Sequence, residues 1–293
     1  MKEKTFFSSL QAQKEIENLY LQKLDALLIS YEFLKIETSF CDTNIVLTGR
    51  KEGPPLVLLH GSNGCAPVAI EALIGLADYF RIYAIDVVGQ PNLSAGCRPS
   101  MQDDTYGKWM YEILSRMNIR DAFLVGISFG GFIAWKSLIF DEKRFAKAFF
   151  IVPAGIVNGN PLKALWKVFR PMKLYMASKK TKYVQQFLDQ LFTEPDRFAF
   201  TFLSQVFLHF TMDFSPIPLI KKEEAKRVKT PVTIIGAEKD LLFPGGKLLK
   251  RAEKIFPSLE KTLLLKKSKH VPGRADNDRI VALIKSSLNN HSK

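Results

Sequence analysis

A serine flanked by glycines is the pattern in the sequence that points most directly to chemistry. Ser128 is the centre of a G-x-S-x-G pattern with Gly126 and Gly130, directly after an apolar run that ends at Val125 and directly before a helical pattern. Between a strand and a helix, this pattern forms a sharp turn that exposes the serine hydroxyl, and small residues permit the close backbone approach. We therefore expect Ser128 to act as a nucleophile.

A histidine is the expected base, because a serine hydroxyl is a weak nucleophile at neutral pH unless a base accepts its proton. The chain has four histidines: His60, His209, His270 and His291. His60 ends an earlier strand, His209 lies in a long helical segment and His291 lies in the terminal tail. His270 follows the last strand run by a short loop and should emerge at the same sheet edge as Ser128. It is the candidate base by elimination.

A carboxylate should complete the group by fixing the imidazole tautomer and stabilising its cation. Asp240 lies just past a strand run that ends at Ile235, again at the carboxyl end of a strand. Glu238, two residues away, and Asp86, at the end of an earlier strand, are the alternatives. Asp240 is the favoured candidate.

Short apolar runs predict the strands that would position these residues. Nearly continuous apolar runs suit strands buried on both faces of a parallel sheet. Helical patterns lie between most of them, and this alternation is typical of a doubly wound α/β domain. The predicted buried strands are 56–59, 82–85, 122–125, 148–152, 232–235 and 262–265; two further strands are predicted at 31–37 and 43–48, and helices up to about residue 28 and at 66–79, 105–117, 129–139 and 247–255.

One long connection interrupts this alternation. Residues 154–230 contain no comparable strand run, carry many aromatic and Lys residues, and have helical spacing. We interpret the segment as a helical cap, whose aromatic side chains either line a pocket or form the cap's own core. The predicted organisation is therefore an N-terminal part of the core at 1–153, a cap at 154–230 and a C-terminal part of the core at 231–293.

Composition and charge limit the function classes. Hydrophobic residues make up 47% and charged residues 24% of 293 residues, which is ordinary globular usage. The formal charge is +13, but the Lys residues are spread widely and no zinc-finger spacing or RNA-binding aromatic signature accompanies them. We interpret the charge as a solvated surface and expect no nucleic-acid partner.

The cysteines and apolar stretches bear on location. Cys41, Cys65 and Cys97 are odd in number and lack metal-site spacing, which predicts free thiols in a reducing compartment. The apolar part of residues 1–10 is shorter than a signal core, and the longest apolar stretch, 148–157, is shorter than the roughly 18 residues of a membrane helix. We expect a cytoplasmic protein with no transmembrane segment.

The chain order Ser128, Asp240, His270 resembles the α/β-hydrolase family, in which the nucleophile, acid and histidine follow in this order. The resemblance spans residues 31–288. Within the family, the run 81–91 and the helical insertion resemble small bacterial carboxylesterases. The sequence departs from many relatives at Lys269, where a glycine commonly precedes the catalytic histidine, and at 89–94, which lacks the common Gly-x-Gly-x-Ser form.

The resemblance also implies an oxyanion hole made of backbone N–H groups. His60-Gly61 begins a Gly-rich loop after a strand, and the family's usual donors correspond to the N–H groups of Ser62 and Phe129, with Asn63 as an alternative to Ser62. His60 is expected to order the loop rather than to act in catalysis.

These features predict a serine hydrolase that needs no cofactor or metal and cleaves a small-molecule carboxylic ester through an acyl-enzyme on Ser128. Short to medium apolar esters are the first expectation, because the aromatic-rich cap would cover the site. The family uses the same three residues in thioesterases, carbon–carbon bond hydrolases and cofactor-free perhydrolases, and these alternatives stay open. A ligand-binding protein without activity is less favoured, because all three residues are present.

Overall fold

The strands of the computed structural model, which describes residues 5–288, form one sheet. The first four residues and His291 lie outside the described part of the chain. The strands are β1 (Tyr31–Ile36), β2 (Thr43–Gly49), β3 (Pro55–Leu59), β4 (Arg81–Ile85), β5 (Ala122–Ile127), β6 (Phe145–Ile151), β7 (Val232–Ala237) and β8 (Leu259–Leu265). Their spatial order is β1-β2-β4-β3-β5-β6-β7-β8. Strand β2 runs antiparallel to β1 and β4, and the other neighbouring pairs are parallel.

Helices cover both faces of this sheet. They are α1 (Leu10–Asp25), α2 (Ala66–Ala72), α3 (Thr105–Arg116), α4 (Phe129–Asp141), α5 (Pro161–Ala164), α6 (Arg170–Ser178), α7 (Lys182–Leu191), α8 (Arg197–His209), α9 (Lys222–Ala225), α10 (Gly245–Ile255) and α11 (Arg274–Ser286). Two hydrophobic clusters, one on each side of the sheet, form the core. The α/β-hydrolase fold predicted from the sequence is confirmed.

Burial explains why the strands could be predicted. Every residue of β7 is buried, as are all of β3 except Pro55 and all of β5 except Ile127, so their sequences are almost entirely apolar, with Thr233 of β7 as the polar exception. Strand β8 differs from the expectation of burial on both faces. It is an edge strand, and Glu260, Lys261 and Thr262 are exposed.

Helices α5 to α9 occupy the connection between β6 and β7. A five-residue π-helical turn, Leu165–Phe169, joins α5 to α6. Several buried cap aromatics pack against each other; the rings of Phe187 and Phe207, for example, lie 4.9 Å apart. The domain boundaries at 153/154 and 230/231 stay a prediction.

The N-terminal segment joins the cap to the core. Helix α1 buries Ile16, Tyr20 and Leu24. Just before it, the N–H of Ser8 donates to the carbonyl oxygen of His209 at the end of α8 (2.8 Å), and the Ser8 hydroxyl lies 3.1 Å from Nδ1 of the same histidine. His209 therefore fastens the chain start to the cap.

The expectation of three free thiols is wrong for two of them. Cys41 and Cys97 form a disulfide with a Cα–Cα separation of 6.4 Å, and Cys65 is free and buried. The two residues are 56 positions apart and meet because the loop after β4 folds over the start of β2, where the N–H of Ala95 donates to Asp42. The cysteine argument for a reducing compartment therefore no longer applies. Among residues 5–288, no helix is long and apolar enough to cross a bilayer.

Candidate active site

Ser128 occupies a strained turn between β5 and α4. Its φ of +54° is unusual for a residue with a side chain. Backbone hydrogen bonds hold it there: its N–H donates to Ile151 (2.9 Å), and its carbonyl oxygen accepts from Gly131 (2.9 Å) and Ala154 (3.0 Å). A strained conformation persists where the surroundings determine it this strongly.

The flanking glycines permit close packing of this turn. A Cβ atom at Gly126 would collide with the carbonyl oxygen of Gly130, and one at Gly130 would collide with that of Leu59. Helix α4 can therefore approach the sheet closely, and the turn lifts Ser128 to the carboxyl edge of the strands.

The three sequence candidates meet at this edge. His270 Nε2 lies 3.0 Å from Ser128 Oγ, and His270 Nδ1 lies 2.7 Å from Asp240 Oδ2. The second oxygen of Asp240 accepts from the N–H groups of Leu242 (2.7 Å) and Phe243 (3.0 Å), which fixes the carboxylate. With Nδ1 donating to Asp240, Nε2 is left to accept the proton of Ser128.

Electrostatics favour an ionised Asp240. Burial raises the pKa of this carboxyl, but attraction to His270 and the hydrogen bonds from His270, Phe243 and Leu242 outweigh it, so the pKa lies below its usual value. An ionised Asp240 can hold the Nδ1 proton and stabilise an imidazolium at neutral pH.

The two alternative carboxylates have other partners. Glu238 is exposed and accepts from the N–H of Lys267 (3.0 Å). Asp86 is fully buried and accepts from the N–H of Ala66 (2.9 Å) and the Asn44 amide (2.8 Å). Neither forms a hydrogen bond with His270 in the described part of the chain.

Asp86 supports a prediction about stability and pH. Burial raises its pKa from 3.8 to about 6, although several hydrogen bonds oppose the shift. Between these pKa values the folded state binds more protons than the unfolded state. The protonated Asp86 carboxyl therefore contributes about 3 kcal/mol to stability below about pH 4, and this contribution is lost as the pH rises through 6. We expect the free energy of unfolding of the wild type, measured relative to Asp86→Asn by urea titration, to fall by about this amount between pH 4 and 7. A difference that does not change with pH would contradict the assignment.

Gly61 brings the loop after β3 next to the nucleophile. A Cβ atom at Gly61 would lie 3.3 Å from the Cβ atom of Ser128. The N–H of Asn63 donates to Gln90 Oε1 (2.7 Å) and is therefore engaged, whereas the N–H of Ser62 has no acceptor among the described residues. Phe129 is the first residue of α4, where N–H groups lack intrahelical acceptors. This arrangement favours Ser62 over Asn63 as a donor, together with Phe129.

His60 orders that loop. Its Nδ1 donates to the carbonyl oxygen of Gly61 (2.8 Å), and its Nε2 accepts from the N–H of Val87 (2.9 Å) and the Asn92 amide (3.1 Å). Burial lowers the pKa of His60 to about 4, against a smaller opposing effect of the Gly61 carbonyl, so the ring is neutral. No sequence motif indicates that Gln90 and Asn92 hold this loop.

The cap holds the backbone on both sides of His270. Thr193, just after α7, donates its hydroxyl to Val271 (2.7 Å) and accepts from the N–H of Lys269 (2.9 Å). Lys269 Nζ also donates to the carbonyl oxygen of Asp189 (2.7 Å). The lysine that replaces the family's glycine thus fastens the histidine loop to α7.

The chain is similar to several known proteins. A family model described as the alpha/beta hydrolase fold matches residues 54–179. Carboxylesterase YbfK of Bacillus subtilis is 27% identical over 148 residues, half of each chain, so the match spans half the length of that relative. The uncharacterized carboxylesterase nap of the same species is 23% identical over 252 residues, 80% of this chain and 79% of the relative.

Solved structures show the same fold. The naproxen esterase of Bacillus subtilis superposes with a TM-score of 0.80 at 19% identity, covering 92% of this chain and 96% of that one. Carboxylesterase CesB (YbfK) superposes with a TM-score of 0.81 at 18% identity, covering 95% and 99%. The chain therefore has the α/β-hydrolase fold and is similar to small bacterial carboxylesterases.

Proposed function

We propose that the protein hydrolyses carboxylic esters through an acyl-enzyme on Ser128. The observation that carries this proposal is the hydrogen-bond chain from Ser128 Oγ to His270 (3.0 Å) and from His270 to Asp240 (2.7 Å) at the strained turn. The relatives named as carboxylesterases support esters as the substrate class.

The first half-reaction transfers the acyl group. His270 Nε2 accepts the proton as Ser128 Oγ attacks the ester carbonyl carbon, and the N–H groups of Ser62 and Phe129 stabilise the oxyanion. His270 then gives the proton to the alcohol oxygen as the ester bond breaks. In the second half-reaction, water loses a proton to His270, attacks the acyl carbon and releases the acid, and the proton returns to Ser128.

Covalent labelling tests the nucleophile, and a substrate panel tests the bond that is cleaved. A fluorophosphonate probe should label the wild type at Ser128, and esters should be turned over faster than matched thioesters or carbon–carbon substrates. If the probe labels Ser128 but thioesters are turned over faster than matched esters, the acyl-enzyme mechanism stands and thioesters replace esters as the proposed substrate class.

Chain length should control turnover if the cap helices and the loop around Phe243 cover an apolar pocket. In a neutral p-nitrophenyl ester series, the activation free energy derived from kcat/KM should change by about 1 to 3 kcal/mol for each methylene that the pocket accommodates. Surface charge should matter less for small substrates, because its attraction is screened within about 8 Å at physiological salt. A large, salt-sensitive preference for an anionic ester without chain-length dependence would overturn the apolar pocket.

A further inference from the structure

The positive charge is concentrated in one part of the chain. Residues 143–188 contain ten Lys or Arg and no Asp or Glu, so these 46 residues carry +10 of the formal charge of +13. Seven of the ten lie between Lys163 and Lys182, in the first part of the cap. The positive charge is therefore concentrated in this region and is not evenly spread along the chain.

A continuous helical segment within this region exposes large apolar side chains. Through α5, the π-helical turn and α6, the segment buries one face with Val168, Met172 and Tyr175. A second face, which we call the apolar stripe, consists of Leu162, Leu165, Trp166 and Phe169, with exposed fractions of 66%, 52%, 61% and 37%. Spacings of three and four residues place these side chains on one side of the helix.

Cations line this stripe. Lys163, Lys167, Arg170 and Lys173 recur at steps of three or four along the same helical segment and are all exposed. The Arg170 guanidinium lies 5.4 Å from the Trp166 ring. Lys173 Nζ lies 5.4 Å from the ring of Phe214, which is itself exposed and packs against Phe169. The stripe and Phe214 thus form one apolar surface with positive charge beside it.

We propose that this cap surface docks on an anionic lipid surface. Helices that lie in a membrane interface have this pattern, with Leu, Phe and Trp on one face and Lys and Arg beside them. Lysine and arginine near such a surface gain attraction from anionic headgroups. A second copy of the chain is a poorer occupant, because a symmetric contact through this surface would oppose two sets of like charges without any carboxylate from residues 143–188.

This cap surface begins beside the candidate active site. The N–H of Gly159, just before α5, donates to the carbonyl oxygen of Leu242 (2.6 Å). Leu242 in turn donates to Asp240, and the ring of Phe243 lies 5.5 Å from that of His270. A lipid-borne ester would therefore reach the protein close to Ser128. This consequence rests on the proposed function, whereas docking itself does not.

Tryptophan fluorescence tests docking directly. The chain has three tryptophans, and Trp109 and Trp135 are at most 1% exposed, so Trp166 is the one that can change its surroundings. Vesicles of ether-linked phosphatidylglycerol and phosphatidylcholine cannot be hydrolysed at an acyl ester, so they separate binding from turnover. We expect the full-length protein to sediment with these vesicles and its emission to shift to shorter wavelength, with little binding to pure phosphatidylcholine. Trp166→Phe should abolish the spectral shift.

Matched variants test whether this cap surface is the part of the protein that binds the vesicles. Leu165→Ser should weaken vesicle binding several-fold, whereas Leu10→Ser, at a leucine that is 76% exposed on α1, should not. Lys163→Gln with Lys167→Gln should weaken binding on the order of tenfold, more than Lys250→Gln with Lys254→Gln on α10.

Two outcomes would overturn the proposal. One is equal weakening by the cap and control variants, which would indicate non-specific attraction. The other is a protein that does not bind anionic vesicles but forms a dimer at micromolar concentration. Loss of that dimer in Leu165→Ser would assign the surface to self-association. Vesicle binding without ester turnover would leave docking in place and remove only the proposed function.

Discussion

Replacing Ser128 with alanine should abolish labelling by an organophosphate and lower kcat by a factor on the order of 10⁴ or more. The physical reason is that the hydroxyl oxygen would form the covalent bond to the acyl carbon, and alanine offers no atom in its place. Turnover of a p-nitrophenyl ester and gel-based labelling measure the two effects.

Ser137→Ala provides the control for this change. Ser137 lies on α4, the helix that follows Ser128, and its hydroxyl donates to the carbonyl oxygen of Ile133 (2.9 Å). Its loss should leave turnover within a few-fold of the wild type. Near-normal turnover of Ser128→Ala would remove the proposed mechanism.

Replacing Asp240 with asparagine should preserve the fold and lower kcat on the order of 10⁴, as the same change does in a serine protease. An asparagine amide facing His270 Nδ1 favours the tautomer whose proton is on Nε2, so the ring can no longer accept the proton of Ser128. The measurement is kcat for Asp240→Asn and for Glu238→Gln, with circular dichroism to verify folding.

Glu238→Gln is the matched control because Glu238 is two residues away and contacts the N–H of Lys267 instead of His270. It should change kcat by less than tenfold. If Glu238→Gln is the damaging change and Asp240→Asn is mild, the acid has been assigned to the wrong carboxylate.

The sheet was predictable because its strands have a physical signature in the sequence. Buried parallel strands are covered on both faces, so runs such as 56–59 and 122–125 are apolar without alternation, and both fall within observed strands. The exception is β8, whose position at the sheet edge depends on strand order and leaves Glu260 and Lys261 exposed. Strand order is a property of the whole chain that a single run does not encode.

The candidate site was predictable for a related reason. Ser128, Asp240 and His270 each follow a strand, and parallel strands deliver their carboxyl ends to one edge. The structure brings these side chains together, and their catalytic roles stay a prediction. The supporting contacts of Gln90, Asn92 and Thr193 come from loops and from the cap, whose positions depend on tertiary packing. The same applies to Cys41 and Cys97, which pair only because a loop folds over β2.

Trapping of the acyl-enzyme tests directly whether Ser128 carries the acyl group. A slowly deacylating aryl ester would be mixed with the protein, the reaction quenched in acid and the intact mass measured, followed by peptide mapping. The intact mass should increase by the mass of the acyl group minus one hydrogen, with the adduct located on Ser128 and absent from Ser128→Ala. Ester turnover with no adduct, or with an adduct on another residue, would contradict the proposed role of Ser128.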